Sequence, residues 1–257
     1  MNRHEIWTAF CTILIKEIRR FMRIWPQTLV PPVITVTLYF IIIGNLIGGR
    51  IGTMDGFSYM EFVVPGLIMM GVITNSYSNV VSSFFGAKFQ HSIEELIVSP
   101  VPNWVILVGY ILGGVTRGLL VGLIVTLMSL FFTKLSITNV PLTVLVVFLT
   151  SVLFSIAGLI NAVFANNFDD ISIIPTFVLT PLIYLGGVFY SVSLLPEFWA
   201  TVSKINPVLY MVNAFRYGVL GISDISVSFA LVMICGFIGI AFSYALYLLN
   251  SGTRIRS

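Results

Sequence analysis

The chain has 257 residues, of which 58% are apolar and 9% are charged, with a net charge of +3 and a mean hydropathy of +1.03. Folded as a soluble globule, such a chain would leave hydrocarbon over most of its surface, so the composition excludes an ordinary soluble domain. It indicates a protein that crosses a membrane several times.

The first predicted element, residues 3–25, is an amphipathic helix. Between Trp7 and Trp25 the apolar residues recur at intervals of three and four, which places them on one face. The opposite face carries four cations, namely Lys16, Arg19, Arg20 and Arg23. A helix of this kind lies along the inner membrane surface, where its cations meet anionic headgroups of membrane lipids. Two interpretations stay open: a simple topology anchor, and a lever that also contacts a cytoplasmic partner.

Six long apolar runs follow this helix. A helix needs about 20 apolar residues to cross a hydrocarbon core about 30 Å thick, because each residue rises about 1.5 Å. We therefore predict transmembrane helices over residues 28–47, 59–84, 104–132, 141–165, 171–189 and 226–249. Cys11 and Cys235 both fall in predicted helices, and no internal repeat divides the chain. The prediction is one all-α polytopic membrane domain over residues 1–257, without a disulfide scaffold.

The Lys and Arg residues are distributed unevenly between the two sides of this arrangement. Six crossings put both termini on one side, which then carries eight of the 13 cations: Arg3, Lys16, Arg19, Arg20, Arg23, Lys88, Arg254 and Arg256. The other side carries four, Arg50, Lys134, Lys204 and Arg216, and Arg117 lies within a crossing. Because cytoplasmic loops carry the excess of Lys and Arg, we predict that both termini are cytoplasmic.

The second crossing has an unusually polar inner half, with Asn75, Ser76, Ser78, Asn79, Ser82 and Ser83. A lipid-facing helix would not carry such a face. The side chains either form hydrogen bonds to neighbouring helices or line a water-accessible cavity. On the second interpretation Asn75, Ser78 and Asn79 are candidate pathway or gate residues.

A predicted cytoplasmic loop, residues 86–102, connects the second and third crossings. In it Phe89, Ile93, Leu96 and Ile97 form a helical stripe, Glu94 and Glu95 project away from the stripe, and Pro100 and Pro102 end the helix. Adjacent carboxylates on a helix point about 100° apart, which disfavours acid-base catalysis by this pair. A solvated helix face and a docking surface for a soluble partner are the interpretations that stay open.

Arg117 is the one charged residue well inside a predicted crossing. Ionisable groups within membranes are functional candidates by default. The third predicted crossing is long, however, so the Arg117 side chain can also reach the inner interface. Snorkelling or an interhelical hydrogen bond is therefore one interpretation, and a contact with a substrate headgroup or a gate is the other.

Two connections flank the predicted fifth crossing. Asp169 and Asp170 directly precede it, where an Asp caps free backbone N–H groups; the alternative is a second contact with the same soluble partner.

On the outer side, residues 190–221 are too aromatic for a solvated loop. We predict short re-entrant helices there, dipping into the outer leaflet before the sixth crossing.

The sequence lacks the motifs of several enzyme classes. With only His4 and His91 it cannot form a multi-histidine metal site, and it contains no nucleophile elbow and no zinc pattern. It has no Gly-Lys dipeptide either, so it cannot hold nucleotide phosphates in a P-loop. All ten acidic residues are placed in tails, loops or near helix ends, which argues against an ion-coupled carrier. The other alternative, a membrane-embedded lipid-modifying enzyme, would need a cluster of acids, His or Arg at one membrane depth, and the sequence shows none.

The order of these elements resembles the permease subunit of ABC-2 type exporters over essentially the whole chain. The most specific segments are residues 93–101, similar to that family's coupling region, and residues 206–210, similar to its C-terminal signature. Val208 departs conservatively from the residue usual in the signature. The signature residues that match are Pro207, Tyr210 and Arg216; residues 25–49, 64–70 and 168–172 also resemble bacterial inner-membrane members of the family.

The resemblance implies a transporter of several subunits. Two permease chains would assemble with two separate ATPase subunits, and ATP and Mg²⁺ would bind there, so no cofactor is expected on this chain. Membrane lipids are also expected partners, and nucleic acid is not. The chain itself would be a non-enzymatic permease of the bacterial inner membrane that exports an amphipathic, lipid or glycan substrate by alternating access. The implied ATPase-coupling residues are Phe89, Ser92, Ile93, Glu94, Glu95 and Leu96, with Asp169 and Asp170 near a second contact.

Overall fold

The computed structural model describes residues 2–43, 48–135 and 137–252, and most of this part of the chain is helical. In chain order the helices are α1 (Arg3–Arg23), α2 (Trp25–Ile41), α3 (Gly49–Ile51), α4 (Tyr59–Phe89), α5 (Ser92–Val98), α6 (Asn103–Ser129), α7 (Val140–Phe164), α8 (Asp170–Ile174), α9 (Thr180–Tyr184), α10 (Glu197–Ser203), α11 (Pro207–Leu220) and α12 (Val227–Ser251). A π-helical turn, Pro175–Leu179, joins α8 to α9, and a 3₁₀ turn, Val192–Leu194, precedes α10. Two short strands, β1 (Thr53–Met54) and β2 (Phe57–Ser58), lie between α3 and α4.

Several helices are long and apolar enough to cross a membrane, which confirms the polytopic class. Within the described ranges these are α4, α6, α7 and α12, each with 25 to 31 residues. The pair α1 and α2, bent by 66°, adds a fifth candidate span if it is taken as one. The predicted first crossing corresponds to α2 as far as Ile41, and its last residues, 44–47, lie outside the described part. The count of six crossings and the cytoplasmic location of the termini stay predictions.

The predicted fifth crossing, 171–189, is not one continuous α-helix. It consists of α8, the π-helical turn and α9, three consecutive pieces of five residues each, and ends at Tyr184. Pro175 and Pro181 lack the N–H groups that a continuous ladder requires. These 15 residues rise about 22 Å, which is less than a hydrocarbon core of about 30 Å. The third crossing is also slightly shorter than predicted, because α6 ends at Ser129 instead of residue 132.

The all-α prediction missed a small β-hairpin between α3 and α4. Strands β1 and β2 pair antiparallel. The two residues between them, Asp55 and Gly56, have φ values of 49° and 85°. Left-handed backbone at both positions defines a type I′ turn, for which Asp-Gly is a preferred sequence. The signal for this hairpin was therefore present in the chain.

α4 is the central helix of the bundle. It packs against α6 and α7 and also contacts α11. A capping box fixes its start, since the Ser58 hydroxyl accepts from the Glu61 N–H at 3.3 Å and the Glu61 carboxylate accepts from the Ser58 N–H at 3.0 Å. Because α4 is buried on nearly all sides, its polar side chains meet other helices instead of lipid.

Glycines allow α6 to approach its neighbours closely. A Cβ atom at Gly118 would collide with the hydroxyls of Ser76 and Ser151, and one at Gly113 would lie 2.5 Å from Glu17 Cβ. Gly118 therefore sets the spacing of α6 to α4 and α7, while Gly113 receives α1. Small residues at helix contacts are the usual means of close packing in membranes.

α1 is more than a surface helix. Ile13, Glu17 and Phe21 are buried along one of its faces, and the helix packs against α6. Trp7 and Trp25 stay exposed, as residues at a membrane interface do. The predicted amphipathic helix is thus present, with one face docked onto the bundle.

Candidate coupling surface and intramembrane polar contacts

α5 forms the helix predicted in the loop between α4 and α6, and it runs from Ser92 to Val98. Phe89, however, is the last residue of α4 and does not share an α5 stripe, which corrects the prediction. The physical reason is His91, whose φ of 57° interrupts the helical backbone. His91 Nδ1 also lies 3.1 Å from Glu94 Oε1.

The side chains of α5 divide into an anchored face and an open face. Ile93 is fully buried, and Leu96 is half-buried against the core. Ser92 and Glu95 are exposed, whereas Glu94 is partly buried. The apolar side therefore holds α5 in place, and the polar side faces outward.

The two predicted partner contacts meet in one surface. The centroid of the Phe168 ring lies 5.0 Å from those of both Phe85 and Phe89. Phe89 and Phe168 nevertheless remain 59% and 55% exposed. We call the surface formed by Phe89, residues 92–96 and residues 168–170 the α5 surface.

Lys88 ties the end of α4 to the end of α7 beneath the α5 surface. Its ammonium donates to the carbonyls of Val163 and Ala165 at 2.7 Å each. These carbonyls belong to the last turn of α7, where backbone acceptors are otherwise left free and a cation is favoured by the helix dipole. Lys88 therefore links α4 to α7 next to the α5 surface.

Asn167 caps the helix that follows the second loop. Its Oδ1 accepts from the Asp170 N–H at 2.8 Å, and the Asp170 carboxylate accepts from the N–H groups of Asn166 and Asn167 at 2.8 and 3.4 Å. This reciprocal pair is a capping box. The prediction that Asp169 or Asp170 is itself the cap is corrected. Asp170 is the first residue of α8, and its carboxylate bonds back to the residues before the helix, whereas Asp169 makes no side-chain cap bond. Asp169 is exposed on the α5 surface.

Glu17 is a buried carboxylate that sequence reasoning missed. It is 0% exposed, and its Oε1 accepts from Ser83 Oγ at 2.7 Å. Its Oε2 lies 3.6 Å from Arg20 Nε, and Arg20 donates to the Asn79 carbonyl and Oδ1 at 2.7 and 2.9 Å. The placement of all acidic residues in tails, loops or helix ends is therefore wrong for Glu17. A buried charge of this kind is tolerated only with such partners.

The sequence did carry a signal for Glu17. Glu17 follows Ile13 by four residues and precedes Phe21 by four, so all three side chains share one helical face. A carboxylate inside a stripe that is otherwise apolar predicts a buried partner on another helix.

The four predicted interfacial cations of α1 occupy different environments. Arg19 and Arg23 are exposed, as the headgroup interpretation requires. The Lys16 ammonium lies 5.8 Å from the centroid of the Tyr110 ring, within the range of a cation–π contact. Arg20 instead points into the bundle toward α4, so its assignment to lipid headgroups is corrected.

Arg117 lies near the middle of α6 and contacts two other helices. Its Nη2 donates to Asn75 Oδ1 at 2.9 Å and to the Thr28 carbonyl at 3.3 Å. In a regular helix that carbonyl would accept from residue 32, but Pro32 has no N–H. Arg117 therefore supplies the donor that α2 lacks. Of the two interpretations of Arg117, the geometry supports the one that includes an interhelical hydrogen bond.

The same contact lines a cavity of about 310 Å³ between α2, α4 and α6. Its lining combines the Arg117 guanidinium and the Asn75 amide with apolar side chains such as Val36 and Met70. Asn79, in contrast, belongs to the Arg20 contact, and Ser78 is half-buried and takes part in neither contact. Of the predicted pathway residues, the structure thus brings together only Asn75 and Arg117.

The signature residues Pro207 and Tyr210 organise the start of α11. Pro207 is its first residue, where the missing N–H has no intrahelical partner to lose. Asn206 precedes it as the cap, because its Oδ1 accepts from the Val208 N–H at 2.9 Å. The Tyr210 hydroxyl donates to the Lys204 carbonyl at 2.5 Å. The signature is therefore a helix-start motif.

The third signature residue, Arg216 of α11, is buried beside the start of α4, whereas the α5 surface lies at the end of α4. Its Nη2 donates to the Gly187 carbonyl at 2.6 Å, and its Cζ lies 3.9 Å from the centroid of the Phe62 ring. Phe62 belongs to the first turn of α4, whereas α5 follows the last. Arg216 is 1% exposed.

These side chains form hydrogen-bond contacts between helices and not a catalytic constellation. Over the residues that the structure describes, no group of three or more His, Cys, Asp or Glu side chains could hold a metal ion. The described features with functional potential are thus a protein-facing surface, two buried polar contacts and the surroundings of Arg216.

Comparison with known proteins relates these features to a family. A family model described as "ABC-2 type transporter" matches residues 8–220. The inner membrane transport permease YadH of Escherichia coli K12 is 59% identical over 254 residues, which cover 99% of each chain. Nodulation protein J of Rhizobium leguminosarum bv. viciae is 23% identical over 214 residues, and that of Rhizobium meliloti is 22% identical over 214 residues. These matches cover 83% of this chain and 83% and 82% of the relatives.

Proposed function

Because the chain belongs to the ABC-2 type transporter family, we propose that it forms the membrane pathway of an ATP-driven exporter whose ATPase is a separate subunit. The family membership confirms the resemblance predicted from the sequence, and it makes the chain a permease component and not an enzyme. The name of the E. coli relative supports the bacterial inner membrane as its location. Six crossings, cytoplasmic termini and a pair of identical chains are parts of this proposal.

The observation that carries the proposal is the α5 surface. On it two exposed aromatic rings, Phe89 and Phe168, lie together with the exposed acids Glu95 and Asp169. A partner with an apolar floor and a basic rim would complement these side chains. The ATPase, which holds ATP and Mg²⁺, would thus act on this chain by contact.

Motion of the α5 surface would reach the pathway through α4. Lys88 joins α4 to α7 directly beneath the surface, and Asn75, farther along α4, lines the cavity beside Arg117. An amphipathic substrate suits this cavity, because a polar head can contact Arg117 while an apolar part lies along α2. Alternating exposure of the cavity then follows from tilting of α4 relative to α2 and α6.

Co-purification with a defined pair of variants tests the proposed coupling. The tagged chain, extracted in mild detergent from its own bacterium, should bring down a protein that mass spectrometry identifies as an ABC ATPase and that hydrolyses ATP. Combining Glu95→Arg with Phe168→Asp should release this ATPase, because both the acidic and the aromatic parts of the α5 surface are lost.

The matched control combines Glu197→Arg with Phe198→Asp. This pair on α10 makes the same chemical changes at exposed positions and should leave the ATPase bound. Retention of the ATPase by the α5-surface variant, or transport by the isolated chain on a pH gradient alone, would contradict the proposal.

A further inference from the structure

A second cavity, of about 730 Å³, lies at the end of the bundle opposite the α5 surface. Its size is within the range of about 300–1,000 Å³ that is usual for small-molecule sites. The β1–β2 hairpin, the end of α11 and the start of α12 enclose it. The polar side chains in its lining are Asp55, Arg216, Tyr217, Ser223, Asp224, Ser226 and Ser228.

Arg216 borders this cavity, and it has buried donors that nothing in the described structure accepts. Its Nη2 is used by the Gly187 carbonyl, and the Phe62 ring covers the face of the guanidinium. Its Nε and Nη1 are buried without a hydrogen-bond partner among the described residues. A ring face does not satisfy these in-plane N–H groups, and leaving them unpaired is unfavourable. An acceptor with several oxygens would satisfy both.

The two carboxylates of the cavity differ in their surroundings. Asp224 is held within the protein, because its oxygens accept from Ser191 Oγ at 2.7 Å and from the Val192 N–H at 3.0 Å. Asp55 stands at the exposed tip of the hairpin, in the left-handed turn. The cavity thus combines a buried cation that has free donors with a solvent-accessible anion.

We infer that this cavity binds a small zwitterionic group, with its phosphate or carboxylate oxygens on Arg216 and its ammonium on Asp55. A simple anion fits less well, since Asp55 and Asp224 would repel it. A simple cation fits less well, since Arg216 would repel it and would keep its free donors. Such a group exists as the headgroup of an ethanolamine phospholipid and as a free zwitterion in water.

This inference goes beyond the proposed function and does not depend on it. Binding is a property of the isolated chain and can be measured without an ATPase. A chain that binds the group but captures no ATPase would contradict the proposed function and leave the inference standing.

Calorimetric titration of the purified chain in detergent tests the site with three probes: phosphoethanolamine, inorganic phosphate and ethylammonium. We expect phosphoethanolamine to bind more tightly than either half. Asp55→Asn should weaken phosphoethanolamine binding about ten- to a hundredfold, because a charged hydrogen bond is lost. The same substitution should leave phosphate binding equal or tighter, because a repulsive charge is removed. Arg216→Gln should weaken both, and thermal unfolding checks that this buried variant is folded.

Glu197→Gln, at an exposed acid outside the cavity, is the control and should change none of these affinities. Native mass spectrometry after reconstitution distinguishes the two sources of the group. Retention of phosphatidylethanolamine over phosphatidylglycerol, lost in Asp55→Asn, identifies the lipid headgroup, whereas binding of soluble phosphoethanolamine alone identifies a free zwitterion. Equal affinity for phosphate and phosphoethanolamine, or affinities that Asp55→Asn does not change, would overturn the inference.

Discussion

Single side chains in this protein compensate for features that a membrane helix could not otherwise contain. Arg117 donates to the Thr28 carbonyl that Pro32 leaves without an N–H. Glu17 is buried, and Ser83 and Arg20 hold its two carboxylate oxygens from different directions. In both cases specific polar partners offset the cost of burying a charge.

Replacing Glu17 by Leu should destabilise the chain. The substitution removes the acceptor of the Ser83 hydroxyl and the carboxylate beside Arg20, whose side chain is 30% exposed, and the loss of a hydrogen bond to a charged group costs about 1.5–3 kcal/mol. Thermal unfolding in one detergent measures the effect, and Glu95→Leu, at an exposed acid, serves as the control. An unchanged midpoint for Glu17→Leu would show that α1 is not held by this contact.

Arg117→Ala should lower stability by about 1.5–3 kcal/mol, the usual contribution of a hydrogen bond to a charged group. Adding Pro32→Ala should restore part of this loss, because the new N–H can bond the Thr28 carbonyl. A full double-mutant cycle on thermal unfolding measures the coupling, and additive effects would contradict the assignment.

We also expect Arg117→Ala to depress transport by the assembled exporter, whereas normal transport at normal expression would remove Arg117 from the pathway.

At the scale of elements, α6 is the helix that brings the others together. Gly113 faces α1, and Gly118 faces both α4 and α7. Close packing at these positions places Glu17 beside Ser83 and brings the serines of α4 and α7 within contact. The spacing of small residues along α6 therefore determines which polar groups meet.

Gly118→Val should lower the free energy of unfolding by about 1–3 kcal/mol, since overpacking forces the helices apart. Gly236→Val is the matched control, because a Cβ atom at Gly236 would meet nothing within 4 Å. The yield of folded chain and the thermal midpoint of both variants provide the comparison. Equal behaviour of the two would mean that α6 does not pack as described.

The position of a helix along the chain was predictable where the apolar residues of that helix alone define it. Apolar runs located α4, α7 and α12 within a few residues, and the Pro residues after α5 ended it as expected. The contacts between helices were less predictable, because they depend on pairs far apart in the chain. Glu17 with Ser83, and Phe89 with Phe168, are such pairs. The sequence of one helix shows that such a residue needs a partner, but it does not show which residue of another helix that partner is.

At the scale of the whole molecule, the α5 surface and the cavity of Arg216 lie at opposite ends of the bundle. The α5 surface follows the end of α4, and the cavity of Arg216 lies beside its start. A helix of 31 residues spans about 46 Å, which is enough to place these sites on opposite faces of a membrane. Energy supplied at one end and ligand exchange at the other would then be linked by one central helix.

Cysteine labelling tests this arrangement. With Cys11 and Cys235 replaced by Ala, a membrane-impermeant maleimide should label Glu197→Cys in intact spheroplasts. It should label Ser92→Cys only after the membrane is permeabilised, because the positive-inside bias places α5 in the cytoplasm. The reverse pattern would invert the topology and separate the α5 surface from any cytoplasmic ATPase.

The contact between Glu17 and Ser83 also constrains the order in which the protein is made. The two residues are separated by 66 positions, and Gly113, which receives α1, is translated later still. During synthesis α1 therefore emerges before its partners on α4 and α6, and water solvates the Glu17 carboxylate until they are inserted. We expect the docking of α1 to be a late step of biogenesis, and a chain that ends before α6 to keep its first helix accessible to proteases.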